Sequence, residues 1–136
     1  MIRNVDLKIG DRFQHETVPD SRVIGLDRYK MNTFEGRRLN WVSYTLTSEE
    51  DGPFARWWLV NMPLIGPCVY QPTENVPGGA EFMSELSGLV ILDSKGDSSL
   101  STNNGAAAIY KDKNGNFYAQ EIFDNNEKIT FFGRPL

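Results

Sequence analysis

Three residues whose types suit molecular recognition, Trp41, Arg56 and Trp58, fall within residues 39–62, which also hold Trp57, the remaining tryptophan of the chain. Trp, Tyr and Arg dominate binding hot spots because each joins a large apolar area to a polar handle. Catalytic chemistry has less to draw on, with one histidine, His15, and one cysteine, Cys68. His15 sits in Gln14-His15-Glu16. A carboxylate beside a histidine suggests a general base, but adjacent residues of a strand face opposite ways. A solvated surface histidine fits better. Cys68 lies between Pro67 and Val69, apolar surroundings that suit an inert packed thiol. A nucleophile would need a base and an electropositive setting.

Metal chemistry finds no better material. Structural zinc requires clustered Cys and His, which the composition excludes, and no cofactor is expected. Asp112-Lys113-Asn114-Gly115-Asn116 has a faint look of a calcium loop, but the glycine comes early and the bidentate acid is missing. A turn explains every residue of it. Glu49-Glu50-Asp51 reads as a solvated turn, and Gly78-Gly79 lacks the lysine and the preceding strand of a phosphate-cradling loop.

The elements that must position these residues are strands. Residues 39–46 and 54–60 flank an acidic turn, Ser48 to Pro53, and form a hairpin. Period-two alternation puts Val42, Tyr44 and Leu46 on one row of the first strand, with Trp41, Ser43 and Thr45 on the other. On the second strand Ala55, Trp57 and Leu59 form one row, and Arg56, Trp58 and Val60 the other. Pairing apolar with apolar sends Val42/Tyr44/Leu46 and Ala55/Trp57/Leu59 to the core. A turn centred near Glu50-Asp51 sets Tyr44 opposite Trp57 and Ser43 opposite Trp58, with Trp41 diagonal to Trp58. Trp41, Arg56 and Trp58 then stand on the outward row. They form either a partner patch or a second small core, covered by the Pro-rich connection or by a short helix.

Further strands are expected at 22–29, at 66–71 as a short edge strand because Pro67 cannot donate to a ladder, and at 89–92 as a buried run. A C-terminal meander follows at 106–110, 116–123 and 128–132. Its first turn carries Asn114-Gly115, the pair suited to a two-residue type I′ turn, and its second is Asp124 to Glu127. The best helix candidate is 80–86, where Phe82, Met83 and Leu86 have helical spacing. The expectation is a mainly β, antiparallel barrel or sandwich of two β-rich lobes, with at most one or two short helices. It forms a single domain over 1–136, with an N-terminal lobe about 7–62, a connection rich in proline and glycine about 63–79, and a C-terminal lobe about 80–136.

Composition bounds the partners. With 136 residues, 14 Lys+Arg against 18 Asp+Glu and a net charge of -4, the chain lacks the positive field that nucleic acid requires. A lone cysteine forms no internal disulfide. Residues 1–6 carry a charge without a following apolar stretch, and no run is long enough for a membrane span, so a cytoplasmic protein is expected.

Several landmarks resemble a bacterial domain family of unknown function, the DUF4178 type. They are Leu7-Lys8-Ile9-Gly10-Asp11, Val23-Ile24-Gly25, Trp41-x-x-Tyr44-x-Leu46, Trp58-Leu59, Ala119-Gln120-Glu121-x-Phe123 and Phe132-Gly133-Arg134. The likeness covers both ends and skips about 61–104. It implies a β-rich domain in a bacterial or phage-derived protein and brings no catalytic residue with it. The leading expectation is therefore a non-catalytic interaction module that binds another protein through Trp41, Arg56 and Trp58 or a free sheet edge, through which it could also self-associate. The second is a barrel or cleft holding a small apolar or aromatic ligand, and an enzyme comes third.

Overall fold

Alternating side chains punctuated by Gly, Pro, Asn and Asp make strands from one end of this chain to the other. The computed structural model describes residues 5–16, 18–32, 38–48, 56–62, 65–97, 105–122 and 128–136. They form β1 (Arg12–His15), β2 (Val18–Asn32), β3 (Arg38–Thr47), β4 (Arg56–Met62), β5 (Gly66–Thr73), β6 (Glu81–Gly96), β7 (Gly105–Lys111), β8 (Phe117–Ile122) and β9 (Lys128–Pro135). No helix occurs among the described residues. The strands run in the order β1-β2-β3-β4-β5-β9-β8-β7-β6, and every ladder is antiparallel. β6 pairs β7 over Glu81–Leu89 and β2 over Val90–Gly96, so the last strand of the order also lies against the second. The expected mainly β, antiparallel, barrel-like architecture is what the chain adopts.

Each face of this sheet has its own core. On the inner face Trp58, Cys68, Tyr70, Ile109, Phe117 and Phe131 pack together. Tyr29 and Trp41 meet Ala107 there although β6 lies between β2 and β7. A contact reaching over an intervening strand marks the concave side. The outer face of β2–β5 carries Leu26, Tyr44, Leu46, Trp57, Leu59 and Val69. Val5, Leu7, Phe13 and Leu136 pack over them as a second layer. Burying side chains of this size is worth about 1.5–3 kcal/mol each, so both faces of the hairpin are strongly anchored.

The hairpin sorts its indoles as pleating requires, with Trp57 in the outer core and Trp58 in the inner one. The register differs from the expected one: Leu46 faces Trp57, Thr45 faces Trp58 and Tyr44 faces Leu59. The offset is two residues, which keeps every side chain on its face, whereas a slip of one would have exchanged the faces. The acidic turn from Glu49 to Pro53 and Ala55 lie outside the described residues, as does the turn from Asp124 to Glu127.

Other local expectations give way to ladder pairing. Residues 80–86 do not form a helix; 81–86 belong to β6. One or two helical turns are marginal by themselves, while the extended chain satisfies its backbone against β7. Phe82 and Met83 are exposed. The run 89–92 also falls within β6, and Leu92 is exposed rather than buried. β5 is not an edge strand, since it pairs β4 on one side and β9 on the other. Pro67 is tolerated near the end of the ladder, opposite Asn61, and its carbonyl accepts from Leu136 N–H at 3.1 Å. The loop between β7 and β8 is one residue longer than a two-residue turn. Asp112 N–H donates to Asn116 O at 2.9 Å around Lys113–Gly115, and Gly115 takes φ 82°. Asp112 Oδ1 accepts from the N–H groups of Asn114 and Asn116 at 2.8 and 3.0 Å, so the carboxylate closes the turn.

Candidate functional site

The residues picked out by type do not form an exposed patch. Trp41 is 7% and Trp58 8% exposed. They occupy separate inner clusters: Trp58 meets Phe131 edge-on at 5.5 Å, and Trp41 stacks on Tyr29 at 5.6 Å and 12°. The diagonal Trp41–Trp58 pair is replaced by these contacts, with Val60 packed against both clusters. The cover over Trp58 comes partly from the stretch expected to be a connection, through Cys68 and Tyr70, and partly from β7, β8 and β9. Arg56 begins β4, and its side chain lies outside the described residues.

An exposed aromatic surface exists elsewhere on the sheet. Phe82 on β6 faces Tyr110 on β7, Tyr110 faces Tyr118 on β8, and Tyr118 faces Phe132 on β9. Directly paired residues share a face, so these four rings make one row across four strands. Phe82 and Tyr110 meet edge-on at 5.7 Å, and Tyr118 and Phe132 meet at 5.1 Å with their planes tilted by 54°. Arg134 lays its guanidinium over Phe132 at 5.4 Å, a cation–π contact that terminates the row. Phe82 is 60% exposed, the other three rings are half-buried and Arg134 is exposed. The face is the same one that Val5, Leu7 and Phe13 cover over β2–β5.

A cleft of about 400 Å³ opens beside the N-terminal cover of β2–β4, lined by Val5, Asp6, Arg28, Asn40, Trp41 and Leu92 among others. Its N-terminal wall is pinned by hydrogen bonds. Asn61 Oδ1 accepts from Val5 N–H at 2.9 Å and Asn61 Nδ2 donates to Val5 O at 2.8 Å. Tyr44 Oη accepts from Leu7 N–H at 3.0 Å and donates to Val5 O at 3.2 Å.

The titratable groups of the inner face are tuned by burial. Burial pushes the Cys68 thiol up to about 12, with the neighbouring Tyr70 hydroxyl offsetting part of the rise. Burial, and then Cys68, push the Tyr70 phenol above its usual range. A thiol held protonated is a poor nucleophile, and Cys68 Sγ donates to Gly66 O at 3.7 Å. Burial also lifts the Glu121 carboxyl to about 6, and Glu121 Oε2 has no hydrogen-bond partner among the described residues. Asp27 is fully buried and accepts from Ser94 Oγ at 2.6 Å. His15, expected to be a solvated surface residue, is half-buried, and its Nδ1 has no hydrogen-bond partner among the described residues. Among the described residues no three His, Cys, Asp or Glu side chains gather as metal ligands, and no helix is long and apolar enough to cross a membrane. No protein-family model, curated protein or solved structure matches this chain.

Proposed function

We propose that this chain is a non-catalytic, β-rich interaction module that docks a protein partner through the aromatic row Phe82–Tyr110–Tyr118–Phe132 and Arg134. The observation carrying this reading is the in-register alignment of four rings, partly exposed among the described residues, on one face and ended by an arginine. Aromatic and arginine side chains are the commonest interface anchors, and rings that already hold one another lose little freedom on docking. Trp41 and Trp58 are unavailable to a partner because both are buried, so the row takes over the role that their types suggested. The test is site-specific photocrosslinking from position 118 in the native cell, compared with a Phe82→Ala/Phe132→Ala variant carrying the same crosslinker at 118. Partner capture should be lost from the variant while its melting temperature falls only a few degrees. Undiminished capture would remove the row from the interface.

A second reading, a module that holds a small ligand, is favoured by the cleft beside Trp41. Its volume of about 400 Å³ lies within the range of small-molecule sites, about 300–1,000 Å³. The DUF4178-type resemblance transfers no residue role to either reading.

A further inference from the structure

The cleft beside Trp41 has a chemical character of its own. Two of its polar side chains, Tyr44 and Asn61, are spent on holding Val5 and Leu7 in place. That leaves Arg28, Asp6 and Asn40, all exposed and all without a hydrogen-bond or ion-pair partner among the described residues. Arg28 and Asp6 line the same cavity and yet do not pair with each other. Between these polar groups the lining includes the apolar Val42 and Leu92; Tyr29 and Trp41 also border the cleft, while their rings stack in the inner cluster.

We propose that this cleft binds a small amphoteric molecule with an apolar or aromatic body, of the α-amino-acid class. The proposal rests on the small-ligand reading and names its ligand. A carboxylate meets the Arg28 guanidinium, which presents a planar fork of donors matched to two carboxylate oxygens. An ammonium group meets the Asp6 carboxylate, and Asn40 offers both a donor and an acceptor beside them. The apolar body lies against Val42 and Leu92. A phosphate-rich ligand fits poorly because Asp6 repels it, and a wholly apolar ligand would leave both charges facing it. The pinned wall matters as well, because a cleft that keeps its shape when empty avoids paying for ordering on binding.

Four probes sharing a phenyl ring separate the contributions: L-phenylalanine, phenylacetate, phenethylamine and benzyl alcohol. Binding is followed by titration calorimetry and by the methyl NMR signals of Val42 and Leu92. L-phenylalanine should bind roughly tenfold more tightly than either singly charged analogue and shift both methyl signals. Arg28→Ala should lower it to the level of phenethylamine, and Asp6→Asn to that of phenylacetate. Arg28 and Asp6 are exposed, so neither change disturbs the core. Equal binding of all four probes at Val42 and Leu92 would overturn the amphoteric assignment while leaving a ligand cleft in place. No shift with any probe at millimolar concentration would overturn both.

Discussion

Glu121 offers a direct measurement of how dry the inner face is. On β8 it stands between Ala107 on β7 and Ile129 on β9, and its Oε2 finds no hydrogen-bond partner among the described residues. Burial lifts its carboxyl from the ordinary 4.5 to about 6. The direction fixes the sign of the pH dependence. Below the unfolded value both states hold the proton and Glu121 contributes nothing. As pH rises through the folded value, the native state must carry a buried charge that the unfolded state solvates freely, and stability is lost. The rise corresponds to about 2 kcal/mol. Glu121→Gln keeps the shape and removes the charge, so urea melts of both proteins from about pH 4 to about pH 8 isolate the effect. The wild type should lose about 2 kcal/mol relative to the variant across that range, a midpoint shift of about 1 M urea with an unchanged slope. A difference that stays flat with pH, or grows in favour of the wild type, would show that water reaches this carboxylate and that the inner face is wet at Glu121.

Two more substitutions probe the packing. Trp58→Ala should cost about 3–5 kcal/mol in chemical denaturation, since the indole fills the cluster with Tyr70, Phe117 and Phe131; a loss below about 1 kcal/mol would place it at a surface. Gly133→Ala should destabilise by about 1–3 kcal/mol in a thermal melt, because a Cβ there would lie 2.7 Å from Tyr70 Cζ, and a neutral result would mean the ring can shift aside.

Much of this fold was legible because period-two alternation is a strong, local signal. It located the strands of the hairpin and the meander, and it divided Trp57 from Trp58 correctly. It failed where a strand's environment depends on distant partners. An outward row on a two-stranded hairpin looks solvent-facing, but here β7, β8 and β9 close over it and make it the inside. The sequence of β3 and β4 contains no trace of that. The aromatic row was hidden by a single residue of loop length. A two-residue turn at Asn114-Gly115 would set Tyr110 opposite Ala119 and place Tyr110 and Tyr118 on different faces. The observed three-residue loop, closed by Asp112 and Asn116, brings the two tyrosines into register. Helical spacing at Phe82, Met83 and Leu86 misled for a related reason, since three residues carry too little information against a ladder with β7.

The outer face shows what distinguishes packing residues from candidate contact residues in this chain. Over β2–β5 it presents Leu26, Leu46, Trp57 and Leu59, and the chain's own N-terminal residues Val5, Leu7 and Phe13 lie across them. Over β6–β9 the same face presents Phe82, Tyr110, Tyr118 and Phe132, which meet in edge-on and tilted pairs and remain partly open. Both halves are apolar, so hydrophobicity alone does not separate them. The covered half mixes aliphatic side chains with Tyr44 and Trp57, whereas the open half is a row of rings alone. Aliphatic residues need a dry neighbour to be stable, and Val5, Leu7 and Phe13 provide one from within the chain. The tyrosines tolerate a wet edge through their hydroxyls, and ring-on-ring contact removes part of each ring from water, contributing about 0.5–1.5 kcal/mol per pair beyond area. Such a row is already ordered, so a partner of the kind proposed would gain apolar contact without first having to arrange the rings.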